Sequence, residues 1–149
     1  MEGDVAPLIH GVDERFPAGG SKTLRQGAND QVTVVAAGVT VFEALKAHDA
    51  LAKDGIAIRV VDAYSVQPID REGLHAAARA TGNRVITVED HYAHGGLGDA
   101  VSEALGDAGA RVHRLAVREI PRSGQPDELL DRYGISARAI VDAVKAMLR

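Results

Sequence analysis

Apolar residues along the chain alternate between short unbroken runs and spaced stripes, and that alternation predicts the elements. Gln31 to Ala37 (QVTVVAA), Ile56 to Ala63 and Arg84 to Glu89 (RVITVE) are brief, nearly continuous runs. Such runs are expected of strands covered on both faces. Val112 to Val117 reads as a further strand, and Ser21 to Gln26 as a short first one. Between the runs, apolar residues recur at helical spacing. Val41, Phe42, Leu45 and Ala52 form one stripe, with Glu43, Lys46 and Lys53 opposite; Leu97, Val101 and Leu105 form another. Asp70 is placed to cap a helix running to Thr81. Another helix begins at Pro126, and Ser136 caps a last one whose stripe is Ile140, Val141, Val144 and Leu148. Arg138 and Asp142 make an exposed i,i+4 pair on it.

Strands alternating with helices of this length imply βαβ crossovers and a mostly parallel sheet. The expectation is a five-stranded α/β domain with helices on both faces. The turn-rich Gly27-Ala28-Asn29-Asp30 suggests a hairpin in which the first strand runs antiparallel to the second. Thr40 and Glu43 have capping-box spacing, so the hydroxyl of Thr40 is expected to accept from the Glu43 N–H. Residues 1–20 show no apolar period and hold two of the five prolines and four of the sixteen glycines, which reads as an arm needing a neighbour to order it.

Composition narrows the class. The 149 residues suit one domain. Only 3% are aromatic and none is Trp, so the core must be aliphatic. The chain has no Cys, which removes disulfides and thiolate chemistry and fits a reducing compartment. With a formal charge of −4 and no basic stripe, it lacks the clustered cations that nucleic-acid binding requires. No apolar run approaches the roughly 20 residues of a membrane span. Met1-Glu2-Gly3-Asp4 lacks the features of a secretory leader, so a cytoplasmic protein is expected.

Candidate chemistry should gather at the carboxyl ends of the strands. The loops there are Gly38-Val39, Tyr64 to Pro68, Asp90 to Gly95 and Arg118 to Gly124. The run His94-Gly95-Gly96-Leu97-Gly98 follows a strand and opens a helix, a place where backbone N–H groups can hold an anion. With His91, Arg122 and Ser123 it defines a candidate anion site of Gly95, Gly96, Gly98, His91, Arg122 and Ser123. Neither the dinucleotide fingerprint nor the P-loop is complete, since position 101 is Val and no Gly-Lys-Ser/Thr occurs. The alternative is that these glycines allow a tight turn and close helix–sheet packing.

Glu89, Asp90, His91 and His94 suggest a metal or acid–base site, but strand alternation sends Glu89 and Asp90 to opposite sides. The commoner role for such a cluster is a hydrogen-bonding hub that holds the turn. A triad of Ser65 or Ser123 with His91 and Asp90 lacks the G-x-S-x-G elbow. Arg118 and Arg122 suit phosphate or carboxylate, and equally suit Glu119 or a partner domain. His48 and His75 fall on helix positions expected to be exposed; with His10 and His113 they receive no role. No complete catalytic constellation emerges.

An ordered set of runs resembles the transketolase C-terminal domain. They are Asp30-Gln31-Val32-Thr33-Val34-Val35, Gly38-Val39-Thr40 with Glu43-Ala44-Leu45, Ile58-Arg59-Val60-Val61-Asp62 and Pro68-Ile69-Asp70. Thr87-Val88-Glu89-Asp90-His91-Tyr92 follows with Gly95-Gly96-Leu97-Gly98, then Leu115-Ala116-Val117, Pro121-Arg122-Ser123-Gly124-Gln125-Pro126, Glu128-Leu129-Leu130 and Gly134-Ile135. The 2-oxoacid dehydrogenase beta subunits and deoxyxylulose-phosphate synthase share the domain type, and the Pro121–Pro126 segment tilts the choice to transketolase. A free-standing phosphate- or nucleotide-binding α/β module is the other alternative.

The resemblance implies a three-layer α/β/α domain with a mixed five-stranded sheet, mostly parallel and with one antiparallel edge strand. It implies a linker or tail of a preceding domain over 1–20 and the C-terminal domain over 21–149. The whole enzyme would be a cytoplasmic homodimer of the pentose phosphate pathway. It would move a two-carbon ketol unit between sugar phosphates with thiamine diphosphate and a divalent metal, Mg or Ca. The cofactor would lie between the other two domains, across the dimer interface, with no catalytic, cofactor or metal residue in this segment. In agreement, the nearest string to the required Gly-Asp-Gly is Gly98-Asp99-Ala100, with no Asn after it. Since transketolase chains are several times longer, this one is expected to be a fragment, inactive alone and structural or dimer-supporting in role.

Overall fold

Among the described residues, five strands and five helices follow one another in the order β1, β2, α1, β3, α2, β4, α3, β5, α4, α5. The computed structural model describes residues 14–92, 96–117 and 126–149. The strands are β1 (Lys22–Arg25), β2 (Val32–Ala36), β3 (Ile58–Asp62), β4 (Arg84–Tyr92) and β5 (Arg111–Val117). The helices are α1 (Thr40–Lys53), α2 (Arg71–Ala80), α3 (Leu97–Ala104), α4 (Pro126–Arg132) and α5 (Ala137–Met147), with a 3-10 turn at Gly106–Ala108 after α3. The sheet order is β1-β3-β2-β4-β5, with β1 antiparallel to β3 and the other pairs parallel. The mixed five-stranded sheet expected from the sequence is therefore present.

Its two faces explain the unbroken apolar run of β2. Val32, Val34 and Ala36 join Ile58, Val60, Ile86 and Val88 beneath α1 and α5. Val35, on the other face, joins Val61, Val85 and the buried residues of α2 and α3. Thr33 is buried there too, and its hydroxyl lies 3.0 Å from the Ala77 carbonyl and 2.8 Å from the Thr81 hydroxyl. With every β2 residue buried, no polar alternation can appear. The helix ends follow the sequence signals: Asp70 accepts from the Gly73 N–H at 2.9 Å, Ser136 from the Ala139 N–H at 3.2 Å, and Gly55 and Gly82 leave their helices at φ of 76° and 63°.

Four expectations are corrected. First, β1 pairs with β3, not with β2. The Gly27–Asp30 turn is real, but Asp30 accepts from the Gly27 N–H at 2.8 Å and pairs with Arg59 Nε of β3 at 3.1 Å. The turn thus sends β1 past β2. Second, Val39 rather than Thr40 holds the cap position of α1, and the capping box does not form. The Thr40 hydroxyl accepts from the Ala37 N–H at 3.2 Å and lies 2.8 Å from the Ala37 carbonyl and 2.7 Å from that of Val88. Glu43 instead accepts from the Ala137 N–H at 3.1 Å, capping α5, and from Lys46 at 2.9 Å. Third, the buried stripe of α1 is Val41, Ala44, Ala47 and Leu51 with Glu43 on the same side, while Ala52 is exposed. The small residues are inward because α1 packs closely on the sheet and on α5. Fourth, β4 runs on to Tyr92 through residues read as loop.

Along α5 the buried residues are Ile140, Val144 and Met147, with Val141 and Leu148 partly covered at the edge of the stripe and Arg138 and Asp142 exposed. No helix among the described residues is long and apolar enough to cross a membrane.

Candidate functional site

β2 connects through α1 to β3 on one side, and β3 connects through α2 back across to β4 on the other. The carboxyl ends of β2 and β4 therefore flank the switch point, the usual ligand crevice of an open α/β sheet. α1 and α3 begin there on opposite faces. Their first N–H groups would form the natural anion cradle.

The chain itself fills both. In α3 the carboxylate of Glu89, only 1% exposed, accepts from the Leu97 N–H at 3.0 Å and from the Gly98 N–H at 2.5 Å. An internal carboxylate thus stands where an external anion would bind. In α1 the Val41 and Phe42 N–H groups turn back to the carbonyls of Gly38 and Val39 at 3.1 and 3.2 Å. The Thr40 hydroxyl ties this turn to Val88 of β4. The hub role weighed for Glu89 is the one it plays, while Asp90 points outward and is exposed.

Of the candidate anion-site residues, Gly96 is the buried residue before α3 and Gly98 lies in its first turn. A Cβ on Gly98 would lie 2.4 Å from Arg114 Nε and 2.9 Å from Glu89 Oε2, so this glycine serves close packing. His91 belongs to β4, its side chain outside what is described, and Gly95, Arg122 and Ser123 lie outside the described residues, as do His94, Arg118 and Glu119. Ser65 accepts from the Gly19 N–H at 3.0 Å and donates to the Pro68 carbonyl at 2.5 Å, so it holds a loop together.

Sequence reasoning missed Arg114. Its Nη2 reaches Asp99 Oδ1 at 2.6 Å, joining β5 to α3 beside the Glu89 cap. A strand arginine between a histidine and a leucine gave little local signal for a partner fifteen positions away. His75 was also underrated. Its Nε2 lies 2.8 Å from the Ala104 carbonyl, which also receives Arg71 Nη1 at 3.3 Å, so two donors meet the C-terminal end of α3.

A shallow cleft of about 260 Å³ lies between the loop after β3 and α3, lined by Gln67, Pro68, Arg71, Asp99 and Glu103 among others. It falls below the ~300–1,000 Å³ typical of small-molecule pockets. Among the described residues no group of three or more His, Asp or Glu could hold a metal ion. Asp99, the nearest counterpart of a diphosphate–metal aspartate, is engaged by Arg114, so the described residues do not fit thiamine diphosphate and its metal. The arrangement can hold a helix on a sheet.

Comparison with known proteins agrees on one family. The family described as Transketolase, C-terminal domain, matches residues 20–140. Transketolase-like protein 1 of Macaca fascicularis is 51% identical over 142 residues, 95% of this chain and 24% of that protein. Mouse transketolase is 49% identical over 142 residues, again 95% of this chain and 23% of the other. The chain thus spans about a quarter of the length of the curated relatives it matches. Among solved structures, a split-gene transketolase in an inactive beta4 tetramer superposes with a TM-score of 0.84 at 41% identity, covering 94% of this chain and 44% of that one. Transketolase from Campylobacter jejuni, at 21% identity and a TM-score of 0.61, shares the fold over 86% of this chain and 18% of its own.

Proposed function

The chain belongs to the transketolase C-terminal domain family, and from that premise we propose that it is the third domain of a transketolase and does not catalyse on its own. The whole enzyme would be a cytoplasmic homodimer of the pentose phosphate pathway, moving a two-carbon ketol unit from a ketose phosphate to an aldose phosphate. Thiamine diphosphate, with Mg or Ca, would supply the carbanion chemistry from the other two domains. Residues 21–149 would be the domain proper and 1–20 the linker or tail before it. Its partners would be those two domains and a second subunit, with neither nucleic acid nor membrane involved.

The observation that carries this reading is the self-occupied switch point. Glu89 takes the α3 amides that an external phosphate would need, so a ligand there must displace a buried carboxylate. What the fold offers instead is a sheet whose central strand β2 is buried along its whole length, a support on which other domains can rest. The test is an assay of the purified chain with xylulose 5-phosphate, ribose 5-phosphate, thiamine diphosphate and Mg. No turnover above buffer is expected, and measurable ketol transfer by these residues alone would refute the assignment.

A further inference from the structure

We propose that residues 14–20, the last part of the arm that precedes the sheet, are a docked strap rather than a free tether, seated on the loop between β3 and α2. The contacts converge on one stretch of chain. The Phe16 ring meets Tyr64 edge-on, with centroids 4.9 Å apart and planes at 84°. Tyr64 Oη donates to the Pro17 carbonyl at 3.0 Å, which also accepts from the Gly20 N–H at 3.1 Å. The Gly19 N–H donates to Ser65 Oγ at 3.0 Å, and Ser21 Oγ to Asp70 Oδ2 at 2.7 Å. The other oxygen of Asp70 caps α2, so seating the strap and starting that helix share one carboxylate. Lys22, the first residue of β1, closes the other side, 3.1 Å from Glu14 and 5.7 Å from the centre of the Phe16 ring.

The glycine pair decides between strap and tether. Read as sequence, Gly19-Gly20 signals flexibility. In the structure a Cβ on Gly20 would lie 2.2 Å from the Tyr64 hydroxyl oxygen, and Gly19 takes a φ of 80°. Both are therefore explained by close approach and backbone shape. The docking stands on these contacts alone. Its purpose rests on the third-domain reading: a seated linker joins whatever precedes it at a fixed angle, where a free one would let the domains swing.

Hydrogen exchange by NMR on the whole 149-residue chain tests the docking. The amides of Gly19 and Gly20 should exchange at least about tenfold more slowly than an unstructured chain, as docked segments do. Tyr64→Ala should release both by about tenfold or more, while amides of α5, on the far face, keep their wild-type rates. Tyr64→Phe keeps the ring and loses only the hydroxyl, so it should release Gly19 and Gly20 less and serves where the alanine variant unfolds. Unprotected Gly19 and Gly20 in the wild type, or rates unchanged in both variants, would overturn the strap. Neither result bears on turnover by the isolated chain, so the strap and the third-domain reading can fail separately.

Discussion

Replacing Glu89 by Gln probes the helix–sheet junction with the smallest change of shape. The native carboxylate offers one oxygen to each of two N–H groups, at Leu97 and Gly98, in a site only 1% exposed. Gln keeps one acceptor and turns an NH₂ toward the other N–H, so one bond is lost and a buried donor is stranded. A stranded donor costs about 1–3 kcal/mol. Removing negative charge from a helix N-terminus adds roughly 0.3–1 kcal/mol, and up to about 2 in buried geometry. The expected loss is about 2–4 kcal/mol, a fall in Tm of roughly 4–16 °C for a chain of this size. Urea unfolding followed by circular dichroism gives the free energy. Amide proton shifts of Leu97 and Gly98 report the local change, and both should move upfield while amides of α5 do not. A Glu89→Gln protein within about 0.5 kcal/mol of wild type, with those two shifts unmoved, would refute the capping role.

Three further substitutions test neighbouring claims. Gly98→Ala should destabilise by about 1–3 kcal/mol through overpacking against Arg114 and Glu89, despite alanine's better helix propensity. Gly106→Ala, with nothing within 4 Å of the added carbon, should be neutral or mildly stabilising, and urea midpoints compare the two. Glu43→Ala removes the acceptor of the Ala137 N–H and should cost about 0.5–2 kcal/mol, with faster amide exchange confined to the first turn of α5.

Elements were legible in the sequence where one residue type answers to one local force. The β2 run is wholly apolar or Thr because both faces of the strand are covered, and Asp70 and Ser136 cap where their spacing said. Pairings between distant segments were not legible. The Gly27–Asp30 turn has hairpin composition, yet its carboxylate answers to Arg59, and only the crossover through α1 places β3 where β1 can meet it. Thr40 and Glu43 had the right spacing one position out of register. With Val39 at the cap, the hydroxyl turns to β4 and the carboxylate to a helix ninety-four residues on. Glu89 was partly legible, since a strand-end carboxylate just before a glycine turn has helix amides within reach. Arg114 was not, because its partner depends on how α3 crosses β5.

The same two carboxylates bear on what the domain is for. An open α/β sheet leaves helix N-termini aimed at its switch point, and that is where such folds bind phosphates. Here Glu89 closes the N-terminus of α3, and Glu43 spends its charge on α5 rather than on the crevice. An entering phosphate would face a buried carboxylate instead of free N–H groups, so each of these side chains favours packing over binding. Selection for a ligand at this crevice would leave the donors open; selection for a rigid support would fill them. The filled state at α3 therefore argues that the domain acts through its shape and surface.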